Sequence, residues 1–227
     1  VSFSNESACC VIVASKGYPA KYENGFPITL PADDAKSTVY VAGAKLGENG
    51  ELLSAGGRVL GVTAIAAYNA NWGYVMGTYG LVMTEDLLEA KIQQLPDAVG
   101  SYEEYIRANY MGVRTADCVG LIKGYSWLNV DTGRIGYATN GHPDVGADQL
   151  YNAATVKGPI STMPEIPGLI VHSTGHVGIY IGDGYVIEAM GTRYGVVKTR
   201  VANRNWTGWC KSPYITYVEE AEEEEAA

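Results

Sequence analysis

The stretch that decides the fold of the carboxy-terminal part of the chain reads GHVGIYIGDGYVIEA and covers residues 175–189. Two runs rich in β-branched and aromatic residues flank the turn Gly182-Asp183-Gly184, which is the pattern of a β-hairpin. Strand-like runs joined by glycine turns extend on both sides, from Pro167 to Val197. The sequence therefore predicts an antiparallel sheet in this region.

Helical patterns come before this sheet. Thr84 to Gln94 places acids early and Lys91 late around apolar positions, which predicts a helix with Thr84 as its N-cap. A second helix is predicted over Tyr102 to Asn109, and a third begins just after Cys118, in an apolar run that includes Gly120. Helices followed by an antiparallel sheet indicate an α+β domain.

The amino-terminal part of the chain shows strand patterns instead of helical ones. Apolar runs predict strands at Ala8 to Ala14, Thr38 to Ala42 and Arg58 to Ala64, with a polar turn at Gly47 to Gly50. We therefore expect a small β-rich domain ahead of the α+β domain.

Composition narrows the classes of function. With 47% hydrophobic and 18% charged residues the chain is typical of a globular protein, and a net charge of -9 argues against a nucleic-acid partner. The acidic run at 219–225 is expected to be solvated. No segment has the ~20 apolar residues of a membrane span, and no export signal is recognised near Val1. The four cysteines match neither a disulfide framework nor a zinc motif.

Cys118 is the candidate nucleophile. A helix amino terminus and a nearby imidazole both favour a thiolate, and Asp117-Cys118-Val119-Gly120 precedes a predicted helix. The small Gly120 would allow close packing of the next element. A buried structural cysteine is the alternative at this position.

His176 is the candidate general base, because it opens a strand that should border a cleft. Glu188 follows it by twelve residues with the glycine turn near the midpoint, so the two side chains can be cross-strand neighbours. Glu188 could then accept a hydrogen bond from one ring nitrogen while the other nitrogen faces Cys118. A solvated acid on a strand face is the alternative for Glu188.

The remaining histidines and cysteines are weaker candidates. His172 is interpreted as an ordinary strand or loop residue, and His142 as a turn residue. Cys210 is expected to serve packing, and burial in an apolar strand should leave the Cys9-Cys10 pair unreactive.

From about residue 72 to residue 217 the chain resembles the NlpC-type family of papain-like cell-wall peptidases. The resemblance is carried by separated motifs in the family's order: Tyr74, Asp117-Cys118-Val119-Gly120, Pro167-Gly168, His176 to Gly182, and Glu188-Ala189. It implies a cysteine endopeptidase acting on peptidoglycan stem peptides next to D-amino acids, without a metal or an organic cofactor. It further implies Cys118 as nucleophile, His176 as base, Glu188 as the third polar residue, Tyr74 beside the cysteine, and Asp117 binding the substrate's free amino group.

Two departures from that family stand out. Its third polar position is most often histidine, whereas this chain has Glu188, and its usual Pro-Gly-Asp-Leu segment here contains Leu169 in place of the acid. Neither departure removes the nucleophile or the base.

Residues 1–64 resemble the carboxy-terminal domain of phosphoribosylamine-glycine ligase, a purine-synthesis enzyme. Cys10 to Pro19, Tyr22 to Gly25 and Gly56 to Ala64 carry this resemblance. That family's nucleotide-binding and metal-binding residues lie mostly in parts that this segment does not match, so no ligase activity is inferred.

We therefore predict three segments: a ligase-like domain at 1–64, an NlpC-type cysteine peptidase domain at 65–218, and an acidic, disordered tail at 219–227. The alternatives are an idle module that binds cell-wall peptides, an amidase or acyltransferase on the same scaffold, and a residual ligase role. The family resemblance places the protein at the cell wall or outside the cell, and the missing export signal leaves the cytoplasm open.

Overall fold

A computed structural model describes residues 44–46, 52–54, 59–129, 134–215 and 217. The chain divides into two compact units, Val1–Gly56 and Gly57–Ala227. Each is described by itself.

In the first unit, strand β1 (Ala44–Leu46) pairs antiparallel with β2 (Leu52–Ser54), and Ala44 lies opposite Ser54. The predicted strands at 8–14 and 38–42, the predicted turn at 47–50 and the Cys9-Cys10 pair lie outside the described residues, as does the acidic tail at 219–227.

The second unit begins with helices and ends with most of its strands. Its helices are α1 (Val59–Asn69), α2 (Glu85–Gln94), α3 (Glu103–Asn109), α4 (Gly120–Ser126) and α5 (Ala147–Ala153). Its strands are β3 (Tyr79–Val82), β4 (Arg114–Ala116), β5 (Leu128–Asn129), β6 (Arg134–Ile135), β7 (Lys157–Pro159), β8 (Ile170–Ser173), β9 (His176–Gly182), β10 (Tyr185–Gly191), β11 (Gly195–Arg200) and β12 (Gly208–Cys210).

A six-stranded antiparallel sheet of order β11-β10-β9-β8-β12-β7 forms the centre of this unit. The hairpin predicted from residues 175–189 forms strands β9 and β10, and both lie in the interior of the sheet. The predicted α+β fold, with helices packed on an antiparallel sheet, is confirmed.

Alternation along β9 separates two cores. Val177 and Ile179 pack with residues of α1 and α4, including Leu60 and Ile122. Tyr180 points to the other face and packs in a second cluster with Leu169, Val171, Val186 and Trp206. Because successive side chains of a strand point to opposite faces, both faces of β9 are covered.

The strand predicted over Arg58 to Ala64 is wrong, because Val59–Asn69 forms helix α1. β-branched residues favoured a strand, but the segment is apolar on all sides, and such short runs do not distinguish a strand from a buried helix. Packing against the sheet decides the outcome: Leu60 and Ala64, one helical turn apart, are both about 1% exposed.

The predicted helices of the second unit are confirmed. The Thr84 hydroxyl caps α2 by accepting a 3.3 Å hydrogen bond from the Leu87 N–H, α3 follows a 3₁₀ turn, and α4 begins two residues after Cys118. None of the helices in the described part of the chain is long and apolar enough to cross a bilayer.

Candidate active site

Cys118 lies in the short connection between β4 and α4, and its neighbour Asp117 fixes that connection. The Asp117 carboxylate accepts hydrogen bonds from the backbone N–H groups of Gly77, at 2.7 Å, and Gly120, at 2.6 Å. The Asp117 N–H donates to the carbonyl oxygen of Thr78 at 2.9 Å. Two of these bonds tie Asp117 to the 77–78 loop, and the third joins Asp117 to the start of α4 on the other side of Cys118.

Gly120 permits this close approach, as expected from the sequence. A methyl group in place of its Cα hydrogen would lie 1.9 Å from the Thr78 carbonyl oxygen, far inside van der Waals contact. The start of α4 can therefore reach this loop only with glycine at position 120.

The Cys118 thiol is partly exposed and lies against backbone N–H groups. Burial, reinforced by the Asp117 carboxylate, raises the pKa of Cys118 to about 11, while the N–H groups of Val177 and Val119 act in the opposite direction. This result differs from the sequence expectation of a favoured thiolate. The reason is that a charged sulfur in this position would lose water and face a neighbouring carboxylate.

His176 and Glu188 are brought together by the β9–β10 hairpin. The register pairs Ile187 with Ile179, which places Glu188 diagonally across the hairpin from His176. The distance between His176 Nε2 and Glu188 Oε2 is 2.7 Å, so the predicted hydrogen bond is present. Because Nε2 is engaged, Nδ1 is the ring nitrogen available to the nucleophile.

Glu188 is fully buried and bonded to three side chains. Besides His176, it accepts hydrogen bonds from Thr199 Oγ1 at 2.7 Å and from Arg204 Nη2 at 2.8 Å. Burial raises the pKa of Glu188, but the bonds from His176, Thr199 and Arg204 outweigh it and hold that pKa below its ordinary value. The alternative of a solvated surface acid is therefore wrong.

The ring of His176 is also held by stacking. The Trp206 ring lies 5.4 Å from it, centroid to centroid, at an interplanar angle of 10°. Stacking fixes the plane of the imidazole, and the hydrogen bond to Glu188 fixes the orientation of the ring within that plane.

The candidate nucleophile lies against the backbone at the start of β9, one residue from the candidate base. The N–H of Val177, the residue after His176, lies against the Cys118 thiol. Among the described residues no hydrogen bond joins the thiol directly to the His176 ring. Hydrogen bonds between a nucleophile and its base are often long before substrate binds, and they tighten in the complex with substrate.

Tyr74 lies next to this pair. Burial raises the pKa of Tyr74, and the Cys118 and Asp117 side chains raise it further. The phenol therefore stays protonated at neutral pH and can donate a hydrogen bond. The substrate-binding roles of Tyr74 and Asp117 stay predictions.

The other two histidines, His172 and His142, stack on tyrosine rings. His172, in β8, stacks on Tyr151 with ring centroids 4.1 Å apart, and its Nε2 lies 2.8 Å from Asp148 Oδ1. His142 is fully buried and stacks on Tyr214 at 4.3 Å. Cys210 is fully buried in the core, in agreement with its expected packing role.

Sequence reasoning missed three residues that complete the site: Thr199, Arg204 and Trp206. Thr199 lies on the strand that pairs with β10, so a longer register argument could have found it. Arg204 and Trp206 follow β11 in an irregular segment, where no periodicity indicates which way a side chain points.

Comparisons with known proteins match a ligase family near the start of the chain and NlpC/p60 structures over most of the chain. The family model "Phosphoribosylglycinamide synthetase, C domain" matches residues 8–71. Phosphoribosylamine-glycine ligase of Clostridium acetobutylicum is 47% identical over 64 residues, which are 28% of this chain and 15% of that protein. The Rhizobium meliloti ligase is 48% identical over 61 residues, which are 26% and 14%. The chain thus spans about a seventh of the length of these relatives.

Solved structures of NlpC/p60 proteins align with most of the chain. The NlpC/p60 domain of the peptidoglycan hydrolase SagA has a TM-score of 0.39 and 16% identity over 69% of this chain and 98% of that one. The peptidoglycan hydrolase RipB of Mycobacterium tuberculosis has a TM-score of 0.36 and 18% identity over 71% and 67%. Both resemblances predicted from the motifs are found.

Proposed function

We propose that this protein is a cysteine endopeptidase that hydrolyses amide bonds in peptidoglycan stem peptides, with its catalytic residues in a domain at 65–218. The observation that carries the proposal is the hydrogen-bonded His176–Glu188 pair at the end of β9 that adjoins Cys118. A thiol, an imidazole and an orienting carboxylate are the three groups that a cysteine hydrolase requires.

The reaction begins when His176 Nδ1 takes the proton of Cys118 and the sulfur attacks the scissile carbonyl carbon. The resulting oxyanion accepts hydrogen bonds from the Cys118 backbone N–H and from the Tyr74 hydroxyl. His176 then protonates the leaving amine, and the C–N bond breaks to leave a thioester. Water, deprotonated by His176, attacks this thioester, and the carboxylic product leaves as Cys118 regains its proton.

The resting state in this scheme is a neutral thiol. Because the pKa of Cys118 is raised to about 11, proton transfer to His176 accompanies substrate binding and attack, and no ion pair is formed beforehand. Substrate that displaces water and places its carbonyl at the N–H groups would favour the charged sulfur during the reaction.

The proposed substrate class rests on the similarity of this chain to NlpC/p60 proteins. The aligned NlpC/p60 structures belong to proteins described as peptidoglycan hydrolases, and the motif resemblance implies the same bonds here. Asp117 would receive the free amino group of the stem peptide, since each carboxylate oxygen can accept a further hydrogen bond beyond those from Gly77 and Gly120. A cell-wall or extracellular location belongs to this proposal.

A catalytically idle module that binds cell-wall peptides is the second candidate. Two observations favour it: the raised pKa of Cys118, and a thiol that has no direct hydrogen bond to His176 within the described residues. It predicts that Cys118 resists alkylation at neutral pH even when a stem peptide is bound.

Purified muropeptides incubated with the protein and analysed by mass spectrometry separate the candidates. A peptidase yields two fragments that together contain one added water. An amidase or acyltransferase releases a different leaving group or attaches the acyl part to another acceptor. Unchanged muropeptides that nevertheless bind the protein would support the idle module and contradict the peptidase.

A further inference from the structure

Arg204 belongs to a short segment that lies against the hydrogen-bonded pair of His176 and Glu188. The segment begins after the 3₁₀ turn Val201–Asn203, where the Arg204 N–H donates to the Val201 carbonyl oxygen. It ends at Thr207, whose N–H donates to the carbonyl oxygen of His172 in β8 at 2.8 Å. Backbone bonds therefore hold residues 204–206 at both ends.

Two side chains of this segment contact Glu188 and His176. Arg204 Nη2 lies 2.8 Å from Glu188 Oε2, the same oxygen that lies 2.7 Å from His176 Nε2. The Trp206 ring stacks on His176. The Arg204 guanidinium lies 5.8 Å from the centroid of the Trp206 ring. The segment therefore contacts both the carboxylate and the imidazole.

The charge of Glu188 makes this contact important. A fully buried carboxylate is costly unless it is paired, and beside an imidazole it strongly favours the protonated ring. A ring that is always protonated cannot accept the proton of a thiol. Of the three side chains bonded to Glu188, Thr199 is neutral, and Arg204 is the one that carries a permanent positive charge.

We propose that Arg204 is a positioning residue of this site: its guanidinium orients the Glu188 carboxylate and balances its charge, so that Glu188 holds His176 while the ring can still release its proton. This inference rests on the proposed role of His176 as the base. In this proposal, Arg204 balances the negative charge that Glu188 brings to a position where a histidine side chain would be neutral.

The other groups around His176 do not supply that compensation. Glu188 on β10 is the anion to be balanced, Cys118 ahead of α4 is a neutral thiol at rest, and His172 on β8 is bonded to Asp148. Removal of the guanidinium should therefore leave the negative charge of Glu188 to act on His176 alone.

The test is an NMR titration of the His176 ring in a Cys118→Ala background, which requires no turnover. Arg204→Gln should raise the titration midpoint of His176 by roughly one to two pH units. Arg204→Lys should restore most of the original midpoint, because it keeps the charge. Arg200→Gln is the matched control: this exposed arginine donates to the Tyr185 hydroxyl, and its loss should leave the midpoint unchanged.

The decisive comparison repeats Arg204→Gln in a Glu188→Gln background. If Arg204 acts through Glu188, the substitution should shift the His176 midpoint clearly less there, because only the direct effect of the guanidinium charge on the ring remains. An unchanged midpoint after Arg204→Gln alone, or the same change in both backgrounds, overturns the proposal. Should Arg204→Gln not fold, Arg204→Met, which keeps an unbranched stem against Trp206, replaces it in the same comparison. Because the ring is titrated without the nucleophile, the outcome is separate from whether the protein cleaves muropeptides.

Discussion

At the scale of single residues, the buried Glu188 carboxylate determines how the His176 ring is oriented and charged. Its carboxylate favours the charged form of His176, which forms when the ring takes the Cys118 proton during attack. We expect Glu188→Gln, which keeps the size and an acceptor oxygen, to lower peptide hydrolysis by something on the order of ten- to a thousand-fold. The rate of Cys118 alkylation, measured against pH, should shift to higher pH. Equal activity and an unchanged alkylation profile would show that Glu188 has no part in orienting the base.

His142 gives a second residue-scale prediction, on stability. Burial, with a contribution from Lys123, lowers the pKa of His142 from 6.5 to about 4, so the folded protein holds this ring neutral. The unfolded chain takes up a proton below pH 6.5 and the folded chain does not. The stability due to this residue is therefore complete above pH 6.5 and falls as the pH is lowered towards 4, by roughly 3 kcal/mol at most.

Urea unfolding at several pH values between 7 and 4 measures this effect. The control is His142→Phe, which keeps an aromatic ring between Tyr214 and Trp127 and removes the titrating group. The difference in unfolding free energy between the wild type and this variant should change with pH in that window. A constant difference would mean that His142 is not held neutral.

At the scale of elements, the contact between α4 and the 77–78 loop positions the nucleophile. Gly120→Ala would place a methyl group 1.9 Å from the Thr78 carbonyl oxygen. We expect a loss of about 1–3 kcal/mol in unfolding free energy and a displaced Cys118, hence reduced activity. Gly100→Ala, where the added methyl makes an ordinary 3.5 Å contact with Ile92, should change both quantities little. Similar losses in the two variants would exclude the close approach as the cause.

The elements also show how far sequence reasoning extends. The His176–Glu188 bond could be predicted because a glycine turn fixes hairpin register locally. The bond from Arg204 could not, since an irregular segment brings it back to the sheet. The helix at Val59–Asn69 and the raised pKa of Cys118 were missed for a shared reason: both are consequences of burial, which only the packed structure defines.

At the scale of the whole molecule, the first helix of the second unit bears on the domain boundary. Residues 59–69 fall within the ligase-type family match at 8–71, yet Leu60, Ala64 and Ala67 pack in the core beneath the six-stranded sheet. The boundary after Ala64 stays a prediction. The structure gives a way to test it, because a cut at that point would remove two of these three core residues.

We expect a protein of residues 57–217 to fold cooperatively, and one of residues 65–217 to be less stable by several kcal/mol. Loss of the buried Leu60 side chain and exposure of the sheet beneath α1 are the physical reasons. Thermal unfolding followed by circular dichroism compares the two. Equal melting temperatures would show that α1 is dispensable and would support the boundary after Ala64.

Muropeptide cleavage by matched cysteine variants tests whether Cys118 is the nucleophile of a peptidase. Cys118→Ala removes the partly exposed sulfur, whereas Cys210→Ala makes the same chemical change in the buried core. We expect mass spectrometry to find cleaved stem peptides with the wild type and with Cys210→Ala, and none with a folded Cys118→Ala protein. Cleavage by Cys118→Ala at the wild-type rate would show that Cys118 is not the nucleophile.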